Sequence, residues 1–443
     1  MTQSELAIHM FLQLAIILAV CRVVGLLARR IGQPQVVGEM IAGVLLGPSL
    51  FGLLAPHWQQ DLFPKGPSMT IIYAAAQVGI VLYMFLVGLE FDTNLIRHRV
   101  PSAVSISLAG VLTPLVLGVL VALMLVQDEG RYFTAGVKDW QAMLFVGVAI
   151  AITAFPMLAR IIVDRKLAGT SLGTLVLAAG ATDDAIAWCL FAVVLAVFKN
   201  DPTLAFLAIG GGAVYGLFVL TAGRRLLQRF LGTRAERQGG VSSPMLAVIL
   251  MLLMCAAWYT DFVGIYAVFG AFILGVAMPR GVIAVEVRRS LEPLVTNFLL
   301  PLFFVFSGLN TQIGLVNSIG LLAVALVILV ASILGKGGAC YLAARLNKES
   351  QRESLAIGSL MNARGLMELI LLNIGLQAGL ITPTLFTILV LMAIVTTLMA
   401  TPLFNVFYGR FRKQPEKEFI GAAVPHPAAD GDVPAGLAPA TRE

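Results

Sequence analysis

Ala178-Ala179-Gly180-Ala181-Thr182-Asp183-Asp184-Ala185-Ile186-Ala187-Trp188 sets two adjacent carboxylates inside a run from Ser171 to Phe198 that is otherwise apolar enough to span a bilayer. An ionised Asp near a bilayer centre costs about 2.5–3.5 kcal/mol on insertion scales, so such residues face a partner charge or a water-filled pathway rather than lipid. Lys336, Arg364 and Glu368 fall at comparable depth in the opposite half of the chain. Two acids that merely lock helices together would explain the first half alone. Opposed charges in both halves point to a path for ions.

Composition agrees with a bilayer setting. Of the 443 residues 59% are hydrophobic and only 12% charged, with mean hydropathy +0.92. Too few polar residues remain to cover a water-facing surface, which excludes a soluble globular domain. Apolar runs of roughly 18–28 residues match a hydrocarbon core of about 30 Å at 1.5 Å per residue, and strand-type alternation is absent, so the fold expected is an all-α polytopic membrane protein. The first helix lacks a basic n-region and a small-residue cleavage site and reads as retained.

Thirteen spans are expected, approximately at 5–28, 35–52, 69–89, 102–126, 141–163, 171–198, 203–223, 243–260, 262–279, 291–309, 316–345, 352–379 and 384–409. Connections after odd-numbered spans are rich in Arg and Lys (Arg29, Arg30, Arg165, Lys166, Arg224 and Arg225 among them), whereas those after even-numbered spans hold only Lys65, Arg131, Lys138 and Lys199. A missed helix would scramble this asymmetry. It places the N-terminus outside and the C-terminus in the cytoplasm, and gives the net charge of +6 a role in orientation.

Ala42-Gly43-Val44-Leu45-Leu46-Gly47 in span 2 is echoed by Gly270-Ala271-Phe272-Ile273-Leu274-Gly275 in span 9. Leu82-Tyr83-Met84-Phe85-Leu86-Val87-Gly88-Leu89 in span 3 aligns without a gap with Leu302-Phe303-Phe304-Val305-Phe306-Ser307-Gly308-Leu309 in span 10. An offset of seven spans enters the membrane from the opposite side, so these are two inverted-topology repeats, a plan common among secondary transporters. Spans 5 and 12 then correspond, and each carries helix breakers at mid-depth. Span 5 has Thr153-Ala154-Phe155-Pro156, with Pro156 expected to clash with the carbonyl of Ile152. Span 12 has Asn362-Ala363-Arg364-Gly365-Leu366-Met367-Glu368, with Gly365 as the break and Arg364 and Glu368 spaced for an i, i+4 pair. Irregular backbone at that depth is tolerated where it is buried or lines a cavity, so paired broken helices mark a binding site.

Other features read as structure. Gly43-x-x-x-Gly47 and Gly212-x-x-x-Gly216 suit close helix approach. Glu90 and Asp92 sit at a span end, within reach of the interface. Cys21, Cys189, Cys255 and Cys340 lie within spans without C-x-x-C spacing, and His9, His57, His98 and His426 form no metal constellation. No phosphate-binding loop, zinc-protease or serine-hydrolase motif occurs, so neither an ATP-driven pump nor an enzyme is expected, and no cofactor is called for. Nothing suggests a nucleic-acid partner. Residues 411–443 turn to Pro, Ala, Gly and charged residues and are expected to be a disordered cytoplasmic tail.

The segments Val37-Gly38-Glu39-Met40-Ile41-Ala42-Gly43-Val44-Leu45-Leu46-Gly47-Pro48, Phe85-Leu86-Val87-Gly88-Leu89-Glu90, Thr153-Ala154-Phe155-Pro156, Asp183-Asp184, Pro301-Leu302-Phe303-Phe304 and Asn362-Ala363-Arg364-Gly365-Leu366 together resemble the monovalent cation:proton antiporter-2 family, with its Kef-type, NapA-type and CHX-type branches. The resemblance covers roughly residues 5 to 410. It implies a sodium/proton antiporter-like fold in which spans 5 and 12 are broken, crossing helices, with span 6 carrying the acids and span 11 carrying Lys336. It further implies a transport core (spans 4–6 and 11–13), a mainly dimerising scaffold (spans 1–3 and 7–10), a homodimer, and exchange of Na+ or K+ for H+ by alternating access in a bacterial inner membrane. The tail is too short for the nucleotide-binding regulatory domain of Kef-type systems, so none is expected. The segment around Arg364 sits closer to the CHX branch than to the sodium-selective one, leaving the cation open.

Adjacent helix positions are about 100° apart, so Asp183 and Asp184 do not point identically into one cavity. Asp184 is expected as principal carrier of cation and proton, and Asp183 as the partner of Lys336. Thr153, with carbonyls freed near Pro156 and Asn362, would supply neutral oxygen ligands. A carboxylate that holds either a proton or a desolvated monovalent cation, but not both, enforces exchange. Two other readings stay open at this stage. A passive or gated cation channel would use the same acids as a selectivity site and move cations without protons. An organic-anion symporter would fit Arg364 but leave the acidic pair unexplained.

Overall fold

The computed structural model describes residues 3–409 apart from 32, 34, 65, 92–98, 129, 200, 310–317 and 365. The expected tail at 411–443, the break assigned to Gly365, and Asp92, His98 and His426 lie outside the described residues. Among the described residues the backbone is helical except for loops and one isolated antiparallel bridge, Phe133 to Ile381.

Apart from two short helices, Phe51–Leu54 and Pro56–Leu62, the helices in chain order are α1 (Gln3–Arg30), α2 (Gln35–Leu46), α3 (Pro67–Glu90), α4 (Val100–Leu125), α5 (Asp139–Ala151), α6 (Phe155–Asp164), α7 (Ser171–Lys199) and α8 (Thr203–Gln238). They continue as α9 (Ser243–Phe262), α10 (Ala267–Ala277), α11 (Val282–Leu294, running through Val295–Leu299 into Leu300–Leu309), α12 (Ile319–Leu346), α13 (Gln351–Met361), α14 (Leu366–Gln377) and α15 (Pro383–Phe407). Among the described residues ten helical segments are long and apolar enough to cross a membrane. The three remaining expected spans fall on shorter pieces: the α5–α6 pair, α10, and the α13–α14 pair.

Polarity is reversed relative to a water-soluble fold. Leu112 and Val116 on α4, Phe206 and Leu217 on α8, and Leu322 and Leu326 on α12 are exposed, while Asp183, Lys336, Arg364 and Glu368 are each 0% exposed. Apolar side chains facing outward and charges facing inward are what lipid as solvent selects.

The packing is reciprocal between the halves. α2 lies on the C-terminal part of α11, and α10 lies on α3, which are equivalent contacts if spans 2 and 9 and spans 3 and 10 are repeats. Likewise α5 and α7 pack on α4, while α13 and α15 pack on α12. The α3–α10 crossing is built on glycines from the echoed segments. A Cβ on Gly88 would stand 2.9 Å from Gly275 Cα, and one on Gly275 would stand 2.9 Å from Gly88 Cα. No side chain fits between the two backbones, so Gly275→Val drives α3 and α10 apart at a cost of about 1–3 kcal/mol. The purified variant should melt several degrees lower in detergent. Gly216→Ala, where a Cβ meets nothing within 4 Å, should melt as the wild type does.

Candidate functional site

The two half-helix pairs meet at their interruptions. α5 stops at Ala151; Ile152 (φ −62°, ψ 136°) and Ala154 (φ −87°, ψ 87°) are not helical, and α6 restarts at Phe155. The sequence reading has Pro156 break the helix of span 5 by clashing with the carbonyl of Ile152. Instead it stands in the first turn of α6, where a missing N–H leaves no bond unmade, and the break lies just before it. α13 stops at Met361, followed by Asn362 (φ −77°, ψ −5°) and the non-helical Ala363 and Arg364. Ala154 N–H donates to Ala363 O at 3.3 Å, tying one interruption to the other.

A helix that ends inside the bilayer leaves carbonyls without partners and a partial negative charge at its C-terminus. Two cations answer both needs at the end of α5. Lys336 Nζ, from α12, donates to Ala151 O. Arg364 donates through Nη1 to Ala149 O (3.2 Å) and Ile152 O (3.4 Å), and through Nη2 to Ile150 O and Ser332 Oγ. The expected Arg364–Glu368 pair is present at 3.5 Å, but most partners of the guanidinium are these carbonyls. Thr397 of α15 fixes the Arg364 backbone, accepting from its N–H at 3.0 Å and lying 2.7 Å from its carbonyl oxygen.

Lys336 also reaches the acidic helix. Its Nζ is 2.7 Å from Asp183 Oδ2, and the Thr153 hydroxyl donates to that same oxygen. Asp183 Oδ1 is buried with no hydrogen-bond partner among the described residues, and it faces Gly110 of α4, where an added Cβ would stand 3.9 Å away. Asp184, at the next position of α7, is 2% exposed. Asn362 Nδ2 donates to Gly358 O at 3.2 Å, while its Oδ1 is buried with no hydrogen-bond partner among the described residues. Gly337, next to Lys336, makes room for that amide, because a Cβ there would overlap Asn362 Nδ2.

Thr153, Asp183 and Lys336 are therefore in contact, and Arg364 with Glu368 shares the end of α5 with Lys336. The crossing holds three buried acids, Asp183, Asp184 and Glu368, against two buried bases, Lys336 and Arg364. Sequence reasoning took Glu39 only as part of a motif and passed over Arg160. Both are buried, on α2 and α6, away from the crossing charges. The expected interfacial Glu90 ion-pairs with Arg288 of α11.

The chain is similar to several known proteins. The chain is 38% identical over 395 residues to the Na(+)/H(+) antiporter NhaS4 of Synechocystis, covering 89% of this chain and 95% of that protein. It is 31% identical over 440 residues to the K(+)/H(+) antiporter 1 of Saccharomyces cerevisiae, covering 97% of this chain but 50% of the yeast protein, so it spans about half that relative's length. The solved structure of the sodium proton antiporter MjNhaP1 from Methanocaldococcus jannaschii at pH 8 superposes with a TM-score of 0.58 at 16% identity, over 91% of this chain and 97% of that one, and shares the fold. Residues 15–406 match the family described as sodium/hydrogen exchanger, transmembrane, and with crossing interrupted helices around a buried acid pair the chain belongs to that family.

Proposed function

We propose that the protein is a secondary antiporter, a carrier and not an enzyme, exchanging a monovalent cation for H+ across the membrane by alternating access. The observation that carries this reading is the charge balance at the crossing: three acids against two bases leave one formal negative charge, which one monovalent cation or one proton neutralises. An unneutralised charge at that depth is costly, so the site holds one or the other in turn. Asp184 is the principal carrier in this reading. Asp183 is held by Lys336 and Thr153, and the free Asn362 Oδ1 offers a neutral oxygen ligand. Relatives named for Na+ and for K+ both resemble the chain, so the cation is K+ or Na+.

The wider reading has thirteen crossings, counting α5–α6, α10 and α13–α14 as spans, with the N-terminus outside and the C-terminus in the cytoplasm of a bacterial inner membrane. α4–α7 and α12–α15 form the moving core, and α1–α3 and α8–α11 form the scaffold of a homodimer. The test is a pH-gradient dequenching assay in proteoliposomes with each alkali cation, repeated under an imposed membrane potential. Cation addition should collapse the proton gradient for K+ or Na+. Cation flux with no counter-movement of protons would instead establish the channel reading. The response to potential separates one-for-one exchange from unequal exchange, according to whether Lys336 also gives up its proton.

A further inference from the structure

We propose that Gly335, in a widened turn of α12 seated against Pro114 of α4, is a positioning residue for Lys336, setting where its ammonium stands relative to Asp183. The proposal rests on the antiport reading in one respect: it takes the pair of Lys336 and Asp183 as part of the transport site. Residues Ile333–Gly338 of α12 form a single π turn, which winds one extra residue into the helix and is a recurrent feature of functional sites. Lys336 lies inside it. The glycines on either side of the lysine are each pressed on a neighbouring helix. A Cβ on Gly335 would stand 2.9 Å from Leu117 Cδ1 and 3.1 Å from Pro114 Cα of α4, and one on Gly337 would overlap Asn362 Nδ2 just past α13.

The extra residue decides which side chains share a face. Eight residues of straight α-helix turn through about 800°, leaving Cys340 about 80° round from Ser332, whereas one residue taken up by the π turn removes about 100° and brings the two within about 20°. Ser332, Lys336 and Cys340 therefore lie along one side of α12. Their contacts agree: Ser332 Oγ accepts from Arg364, Lys336 Nζ reaches Asp183 Oδ2 at 2.7 Å and Ala151 O, and Cys340 Sγ is 3.6 Å from Ile106 O of α4. α4 is shaped to receive this side. Pro114 is buried in its interior, where it lacks the N–H that would bind Gly110 O. A Cβ on Gly110 would stand 2.8 Å from Cys340 Sγ and 3.9 Å from Asp183 Oδ1. α12 thus rests on α4 at two levels, Gly335 on Pro114 and Cys340 on Gly110, with Lys336 between them. The acidic helix α7 packs on α4 as well, so α4 is the common support that sets the gap between ammonium and carboxylate. A side chain at position 335 must push α12 away from α4, and the ammonium moves with it.

Uptake of radiotracer Na+, and of Rb+ in place of K+, into proteoliposomes at alkaline pH tests the assignment, with maximal rate and KM read separately. Gly335→Ala and Gly335→Val should lower the maximal rate in that order, Gly335→Val by about ten-fold or more, the scale of overpacking a filled contact. Both should also lower the KM for the cation, Gly335→Val by about three-fold or more, because a carboxylate no longer shared with an ammonium holds the cation more tightly. Loss of folded protein alone would lower the rate and leave KM where it was. Gly320→Val, on the same helix at a position where a Cβ meets nothing within 4 Å, should match wild type in both. Wild-type rate and KM in Gly335→Val, a fall in rate at unchanged KM, or equal changes in Gly320→Val would overturn the proposal. If Gly335→Val does not accumulate, the same criteria apply to Gly335→Ala. The outcome is separable from the transport reading: a wild type that moves cations without protons defeats antiport, yet its cation KM still decides the role of Gly335.

Discussion

Asp184→Asn, reconstituted in proteoliposomes, should exchange cations for protons at least about a hundred-fold more slowly than wild type, the scale set by losing a charged ligand interaction of about 3 kcal/mol. Asparagine has the shape of the aspartate it replaces, so α7 should keep its packing and the protein its yield. What disappears is the surplus negative charge: with two acids against two bases the crossing is already neutral, and neither a cation nor a proton is drawn in. Asp183→Asn should also silence exchange, but through a second route, because it leaves Lys336 Nζ with its Ala151 carbonyl and no carboxylate. The two variants should therefore differ in stability, Asp183→Asn melting below Asp184→Asn. Exchange by Asp184→Asn at the wild-type rate would remove the basis of the proposed function.

The largest structural effect is expected at Arg364. Arg364→Met keeps length and apolar bulk while removing every donor that reaches Ala149, Ile150 and Ile152 oxygens, and it leaves Glu368 as a buried unpaired acid. Breaking a buried ion pair by deleting one partner costs about 3–5 kcal/mol, and unmet carbonyls add to it. The variant should fail to accumulate as folded protein or should melt far below wild type, judged by size-exclusion profile and thermal denaturation in detergent. Arg364→Lys should recover only part of the loss, since one ammonium cannot reach the fork of carbonyls that a planar guanidinium spans. An Arg364→Met protein as stable as wild type would mean that the end of α5 is satisfied by other means.

Much of the fold is legible in the sequence because lipid imposes strong patterns. The acidic span was read as 171–198 and is helical over Ser171–Lys199, and Gly275 of the segment echoed between spans 2 and 9 touches Gly88 of the segment echoed between spans 3 and 10. The pairing of Lys336 with Asp183 was expected from the family resemblance together with the cost of a lone ammonium at that depth, and it is present. The partners of Arg364 were not legible. Its nearest acid in sequence, Glu368, suggested a local pair, but the demand on the guanidinium comes from carbonyls that lose their own partners only because another helix stops at Ala151. Pro156 marked the break in span 5, but its side of the break was not legible, because that depends on where the next helix starts. Glu39 escaped notice because it sits four residues after Gln35 near the start of a span, a position where a charge reaches water unless neighbouring helices cover it, and here it is fully buried.

The ion pair between Asp183 and Lys336 has a bearing on how the protein is made. At about 5–20 residues per second, a ribosome delivers Asp183 roughly 8–30 s before Lys336. During that interval the nascent acidic segment must wait in or beside the translocation channel without the lysine that later neutralises it. Completion of the chain, rather than insertion of each segment, is then the committing event in biogenesis, and quality-control proteases have their opening before the eleventh segment arrives.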